Sequence, residues 1–116
     1  MANRAELITR ILKVLNVWQA GQDLPPEDYA VVDEDLDQTL KAMGKADIYV
    51  VDDAENIPDE AFTEIANYCA NEFAGVFGIA GEELATIAQR AALADQALRY
   101  QRVMGPTYQL MQADYF

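Results

Sequence analysis

The chain has 116 residues, of which 8 are Lys or Arg, 20 are Asp or Glu, one is Cys and none is His, for a formal net charge of −12. That length suits one domain burying roughly 65% of its unfolded surface, and a hydrophobic share of 52% is too high for a disordered chain. Without His there is no Ser-His-Asp or Cys-His pair and no His-bearing zinc site; a lone Cys makes neither an internal disulfide nor an all-cysteine metal cluster, and a pI near 4.1 argues against non-specific binding to nucleic acid.

The longest uncharged run, Val103 to Ala113, is 11 residues and too short to span a bilayer. Met1 to Glu6 has no apolar core of a secretory signal, so a soluble protein made in a reducing compartment is expected. The charge is uneven. Asp23 to Glu64 holds 14 acids and 2 bases, a net of −12, whereas the rest holds 6 of each. The flanks therefore pack on each other or on a partner without net repulsion.

Leu7, Ile8, Ile11, Leu12 and Leu15 form one stripe at helical period and predict a first helix over residues 4 to 16, with Asn3 as N-cap and Glu6 as its capping-box partner. Pro25 and Pro26 open a second helix, where Glu27 and Asp28 suit the positive end of the dipole. Its inner face is Tyr29, Val32, Leu36, Leu40 and Met43, with Gly44 as the C′ residue, and Asp33, Glu34, Asp35 and Asp37 form an acidic outer face. The β-branched and aromatic run Ile48 to Val51, followed by Asp52 to Asn56, predicts an extended segment over 46–57 and a small hairpin with Ile57.

Pro58-Asp59-Glu60 starts a third helix whose wide stripe of Phe62, Ile65, Ala66, Cys69, Phe73, Val76 and Phe77 makes it central, with Ala61, Ala70, Ala74 and Gly75 as surfaces for close approach and Gly78 as its end. A fourth helix follows Gly81 through Leu84, Ile87, Ala91, Leu98 and Val103 to Gly105-Pro106, about 33 Å long. The fold expected is all-α: a bundle of four helices over 1–104 and an extended C-terminal docking tail over 105–116. That tail carries Tyr108, Leu110, Met111, Tyr115 and Phe116 and one charge, a composition unlike a loose terminus that suits addition to a neighbour's groove or sheet, with folding back on its own domain as the alternative.

The candidate sites each have a plain alternative. Asp33-x-Asp35-x-Asp37 opens like a calcium loop, but Gln38 stands where the loop glycine belongs and Gly44 where the bidentate Glu belongs, so a solvated helix face is expected. Asp52, Asp53 and Glu55 read as a turn, since neither a nucleophile nor a phosphate-binding glycine loop accompanies them. Cys69 lies on the apolar stripe and is expected in the core; Trp18 lids the core or anchors an interface. Arg90, Arg99 and Arg102 either face an acidic partner surface or nucleic-acid phosphates, or are solvated and pair within the helix, as in Asp95 with Arg99. No metal, cofactor or catalytic residue is expected.

The order of these features resembles a known family. The helix Glu6-Leu-Ile-Thr-Arg-Ile-Leu-Lys-Val-Leu-Asn-Val17 is followed by Gly21-Gln22, an acidic helix ending in Leu36, Leu40 and Met43, the junction Ile57-Pro58, a helix holding Ile65-Ala66, Cys69-Ala70 and Phe73, a long helix, and a tail. Over most of residues 5 to 104 this is similar to the head–tail connector (adaptor) proteins of tailed bacteriophages, especially the tail accessory factors of short-tailed phages. The resemblance implies a structural virion protein, made in the host bacterial cytoplasm, whose copies form a ring of twelve beneath the portal protein. The ring continues the DNA channel toward a tail or nozzle protein, DNA passes without sequence-specific binding, and no membrane or enzymatic activity is involved. Tyr108, Leu110, Met111, Tyr115 and Phe116, with Arg99 and Arg102, would bind the partner, and Asp33, Glu34, Asp35 and Asp37 form an acidic face that suits a channel wall, the sequence leaving open whether it faces the lumen or the outside. The rival reading is a small acidic regulator that inhibits a basic protein by mimicking the charge of DNA.

Overall fold

A computed structural model describes residues 2–19 and 21–115, with side chains described through residue 103. The elements are α1 (Arg4–Val14), α2 (Pro26–Lys45), α3 (Asp59–Phe73) and α4 (Gly81–Tyr115). The protein is an all-α bundle, and the described residues contain no strand. α3 is the hub: α1, α2 and α4 all pack on it, and α2 also packs on α1. Among the described residues, α3 is the only helix with which α4 makes substantial contact.

The helix starts follow local chemistry. At α1 the capping box is complete: the Glu6 backbone N–H donates to Asn3 Oδ1 at 2.8 Å, and the Asn3 N–H donates to Glu6 Oε1 at 3.4 Å. α2 begins with Pro26 after an extended Pro25, and α3 begins after Pro58, each with two acids in its first turn. The buried residues then recur at helical spacing: Leu7, Ile8, Ile11 and Leu12 on α1; Val32, Leu36, Leu40 and Met43 on α2; Ala61, Ile65, Ala66, Cys69, Ala70 and Phe73 on α3. With Leu15, Ile48, Ile57 and Leu98 they form one contiguous core in which no described polar side chain is buried.

Two of the helix ends place a non-glycine residue in the left-handed position. α1 closes by a Schellman motif at Asn16 (φ 62°): Val17 N–H donates to the Leu12 carbonyl at 3.0 Å and Asn16 N–H to that of Lys13 at 3.1 Å. α2 closes in the same way one turn beyond expectation. Gly44 lies inside the helix, and the left-handed position is Asp47 (φ 60°), with Ile48 N–H donating to the Met43 carbonyl and Asp47 N–H to that of Gly44, both at 3.1 Å. The motif forms there because it brings Ile48 against Met43, both buried, a contact that ending at Gly44 would lose. α3 ends at Phe73, five residues before the Gly78 expected to close it, and a separate turn follows that closes at Gly78 (φ 70°). Val76, placed on the inner stripe by the sequence pattern, falls in this turn and is exposed.

Two other expectations are corrected. Residues 46–57 form no hairpin. Ile57 instead pairs with Ala2 in an isolated antiparallel bridge, Ala2 N–H to the Ile57 carbonyl at 2.9 Å and Ile57 N–H to that of Ala2 at 2.8 Å, which satisfies the buried Ile57 backbone from the other end of the chain. The helix expected to stop at Gly105-Pro106 runs to Tyr115, where an extended tail was expected; Gln109 to Ala113 are strong helix formers once Pro106 is passed. The inner face of α4 also differs: Ile87, Ala91, Ala94 and Leu98 are buried, while Leu84 and Val103 point outward.

Asn16 gives a direct test of the α1 terminus. Asn16→Ala places an ordinary side chain at positive φ and is expected to cost about 1 kcal/mol in urea unfolding, whereas Asn16→Gly is expected to be neutral or stabilising.

Candidate partner-binding surfaces

The acidic outer face of α2 is real but partly tethered. Glu34, Asp35 and Asp37 are exposed and Asp33 is half-buried. Arg4, on the first turn of α1, reaches across: its Nε donates to Asp33 Oδ1 at 2.7 Å, Nη2 to the Asp33 carbonyl at 2.7 Å and Nη1 to Asp37 Oδ1 at 2.6 Å. The hydrogen bond to Asp33 pushes the guanidinium pKa further up, and the nearby Asp37 adds to it against a partial burial that acts the other way. One cation thus holds two members of the Asp33-x-Asp35-x-Asp37 series, leaving Glu34 and Asp35 as the free outward charges of this face. No group of carboxylates, Cys or His among the described residues is arranged to hold a metal ion.

The second acidic cluster is a turn. Asp53 Oδ1 accepts from the Glu55 backbone N–H at 2.9 Å and its Oδ2 accepts from Asn56 Nδ2 at 2.8 Å. The backbone bond, then the Asn56 side chain, hold the Asp53 carboxyl below the usual carboxylate range. A group that holds its negative charge so firmly suits a turn acceptor and is unsuited to proton donation near neutral pH.

On α4, Arg99 pairs with Asp95 one turn back along the same helix. Arg102 folds toward the α2–α3 connection, donating to the Asp47 carbonyl at 3.2 Å and to Asp47 Oδ1 at 3.3 Å, and Gln101 Nε2 donates to the Glu60 carbonyl at 3.0 Å. Two of the three arginines are therefore occupied within the chain, while Arg90 borders a depression shared by α1 and α4 with Leu15, Glu82, Glu83 and Ile87. Tyr108, Leu110, Met111, Tyr115 and Phe116 lie outside the described side chains. The outer face of α4 carries Leu93 at 59% exposure, Tyr100 at 47% and Val103 at 73%, a patch that the sequence pattern did not separate from the inner stripe.

Cys69 and Trp18 behave as packing residues. The Cys69 thiol is fully buried and its pKa is pushed up to about 12, first by burial and then by Glu72. Trp18 packs against the core and its Nε1 donates to the Gln22 carbonyl at 3.0 Å, closing the connection between α1 and α2. Beside it, the Arg10 guanidinium sits 5.3 Å above the centre of the Phe62 ring. A wide depression of about 530 Å³ between the C-terminal half of α2 and the following loop is lined by Leu40, Lys41, Gly44, Val50, Val51 and Asp52 among others.

Comparison with known proteins finds no matching family model, no matching curated protein and no matching solved structure. No helix of the described residues is long and apolar enough to cross a membrane.

Two measurements check these assignments. Arg4→Met is expected to cost about 1 kcal/mol, with a smaller loss in high salt, because the pairs it removes are partly exposed and screened. Cys69 is expected to resist a thiol reagent at pH 8 in the folded protein and to react on denaturation, since burial disfavours the thiolate.

Proposed function

We infer that the chain is a structural connector subunit: a component of a bacteriophage head–tail junction whose copies form a ring on the portal and extend its channel. The observation that carries this reading is the disproportion of α4. With 35 residues it is about 52 Å long, whereas α3, on which it packs, has 15 residues and spans about 22 Å. The last buried residue described on α4 is Leu98. The segment after Arg102 carries one charge, Asp114, and holds Tyr108, Leu110, Met111, Tyr115 and Phe116, which are costly to leave in water and suit docking against another protein.

The charge distribution supports the same assignment. In a ring subunit, the acidic excess of residues 23 to 64 gives a wall that repels DNA phosphates and lets the duplex pass without adhering, with Glu34 and Asp35 as its freest charges. The neutral flanks permit many copies to assemble side by side. Portal, neighbouring subunits and a tail-side protein are the partners of this proposal, the virion is its location, and catalysis has no part in it.

A second reading has its own observation. Asp52, Asp53 and Glu55 are exposed, as are Glu34, Asp35 and Asp37 on α2, and with a net of −12 over residues 23 to 64 they suit a regulator that occupies the DNA-binding surface of a basic protein. The two readings separate in one experiment. Removing residues 105–116 is expected to abolish binding to portal rings while leaving helical content and cooperative unfolding of the remainder, and neutralising Glu34 and Asp35 should leave portal binding intact. Binding to a basic partner that survives the truncation, and collapses with salt or on neutralising Glu34 and Asp35, would establish the regulator instead.

A further inference from the structure

Between α2 and α3 runs a groove of about 340 Å³ that the described residues leave open. Asp35 and Thr39, one turn apart on α2, line one side; Tyr68 and Glu72, one turn apart on α3, line the other. Phe73 and Val76 complete it with apolar surface, and Val76 is 61% exposed. The two acids of the groove differ from the carboxylates that have a base within reach. Asp33 and Asp37 are held by Arg4, Asp47 by Arg102 and Asp95 by Arg99. Among the described residues, neither Asp35 nor Glu72 has an ion pair or accepts a hydrogen bond at its carboxylate; the Thr39 hydroxyl donates to the Asp35 backbone carbonyl instead. The described lining of the groove holds no Lys or Arg. Burial first, and then Glu72, pushes the Tyr68 phenol pKa up, which marks a negative potential at that wall, with Arg99 acting the other way.

We propose that this groove takes an arginine side chain from a basic partner protein, the guanidinium lying between Asp35 and Glu72 and an apolar residue beside that arginine covering Val76. Three features select this occupant. First, two unpaired carboxylates from different helices match a cation with several fixed donors, and a guanidinium presents five N–H groups in one plane. Second, α2 belongs to the segment 23–64, whose net charge is −12. Its field draws a basic protein toward the groove and repels an acidic one, a second copy of this chain included. Third, the apolar and aromatic lining distinguishes arginine from a simple ion. A guanidinium is weakly hydrated and stacks on a ring such as that of Tyr68, and its methylene stem gains from contact with Phe73 and Val76. A hydrated divalent cation gains nothing from these groups, and no described set of carboxylates is arranged to hold one. The site goes beyond the connector reading and does not rest on it, since it uses none of residues 105–116.

An NMR titration of the isotope-labelled full chain at low salt with the acetylated, amidated tripeptide Leu-Arg-Leu tests the site. A probe with a single charge separates the groove from the general pull of the acidic surface. The expected result is saturable shifts at the backbone amides of Asp35, Thr39, Tyr68, Glu72 and Val76 in the millimolar range. The same peptide with citrulline in place of arginine keeps the shape without the charge and is expected to give no saturable shift. Glu72→Gln and Asp35→Asn are each expected to weaken binding at least about fivefold, and Val76→Ser about threefold. All three side chains are exposed, so the unfolding midpoint stays unchanged. Glu55→Gln removes the same unit of charge away from the groove and is expected to leave the affinity within about twofold. No saturable shift, shifts scattered over the acids of residues 23–64, or an equal loss with Glu55→Gln would each overturn the proposal. So would ethylammonium binding as tightly as the peptide, the mark of a simple cation site. The outcome of portal binding bears on the connector reading alone.

Discussion

Small side chains set the distance between α3 and α4, and the layout of the molecule depends on that distance. Ala61, Ala66 and Ala70 on α3 and Ala74 at its C-cap are fully buried, and α4 buries Ala91 and Ala94 between Ile87 and Leu98. Alanine loses no side-chain entropy on burial and lets two helix backbones approach closely. It also removes little apolar area from water, so α4 is held by less hydrophobic free energy than α1, which buries Leu7, Ile8, Ile11, Leu12 and Leu15. The polar ties from Gln101 to the Glu60 carbonyl and from Arg102 to Asp47 supplement the far end of this contact.

A narrow inner stripe has an outward cost. Because α4 is covered along one line only, most of its circumference remains open, and the residues there decide what the molecule meets. On α2 the opposite choice is made: a fully apolar inner face is matched by carboxylates outside, with Arg4 restraining the pair nearest to α1. The bundle thus presents an acidic side and a neutral side, a division that follows from which helix faces were needed for the core.

What was legible in the sequence was local. Proline followed by acids marked the starts of α2 and α3 because those residues act within one helical turn, and the inner faces of α1 and α2 followed from spacing alone. Cys69 was assigned correctly because its neighbours on the stripe are all apolar. The Arg4 clamp was invisible because its partners lie 29 and 33 residues away and nothing near Arg4 points to them. Gly44 was misread as a terminator since glycine is favoured at that position in general, whereas here the burial of Ile48 on Met43 decides the matter and Asp47 tolerates the left-handed conformation. On α4 the large residues Leu84 and Val103 drew the inner stripe to the wrong line; alanines carry a weaker signal, yet they are what α3 has room for. Of the candidate surface, the acidic face was foreseen, the exposed patch of Leu93, Tyr100 and Val103 was not, and the tail side chains lie outside the described residues.

The bridge between Ala2 and Ile57 fixes an order of events. The segment leading into α1 obtains its backbone partner 55 residues later, and α1 buries its stripe largely on α3, which follows that partner. At a synthesis rate of about 5–20 residues per second, the first helix is made roughly 3–10 s before the Ile57 backbone that pairs with Ala2 exists. During that interval its five large apolar residues have only α2 to cover them. The dense negative charge of α2, made in the same interval, opposes association of two such incomplete chains by like-charge repulsion.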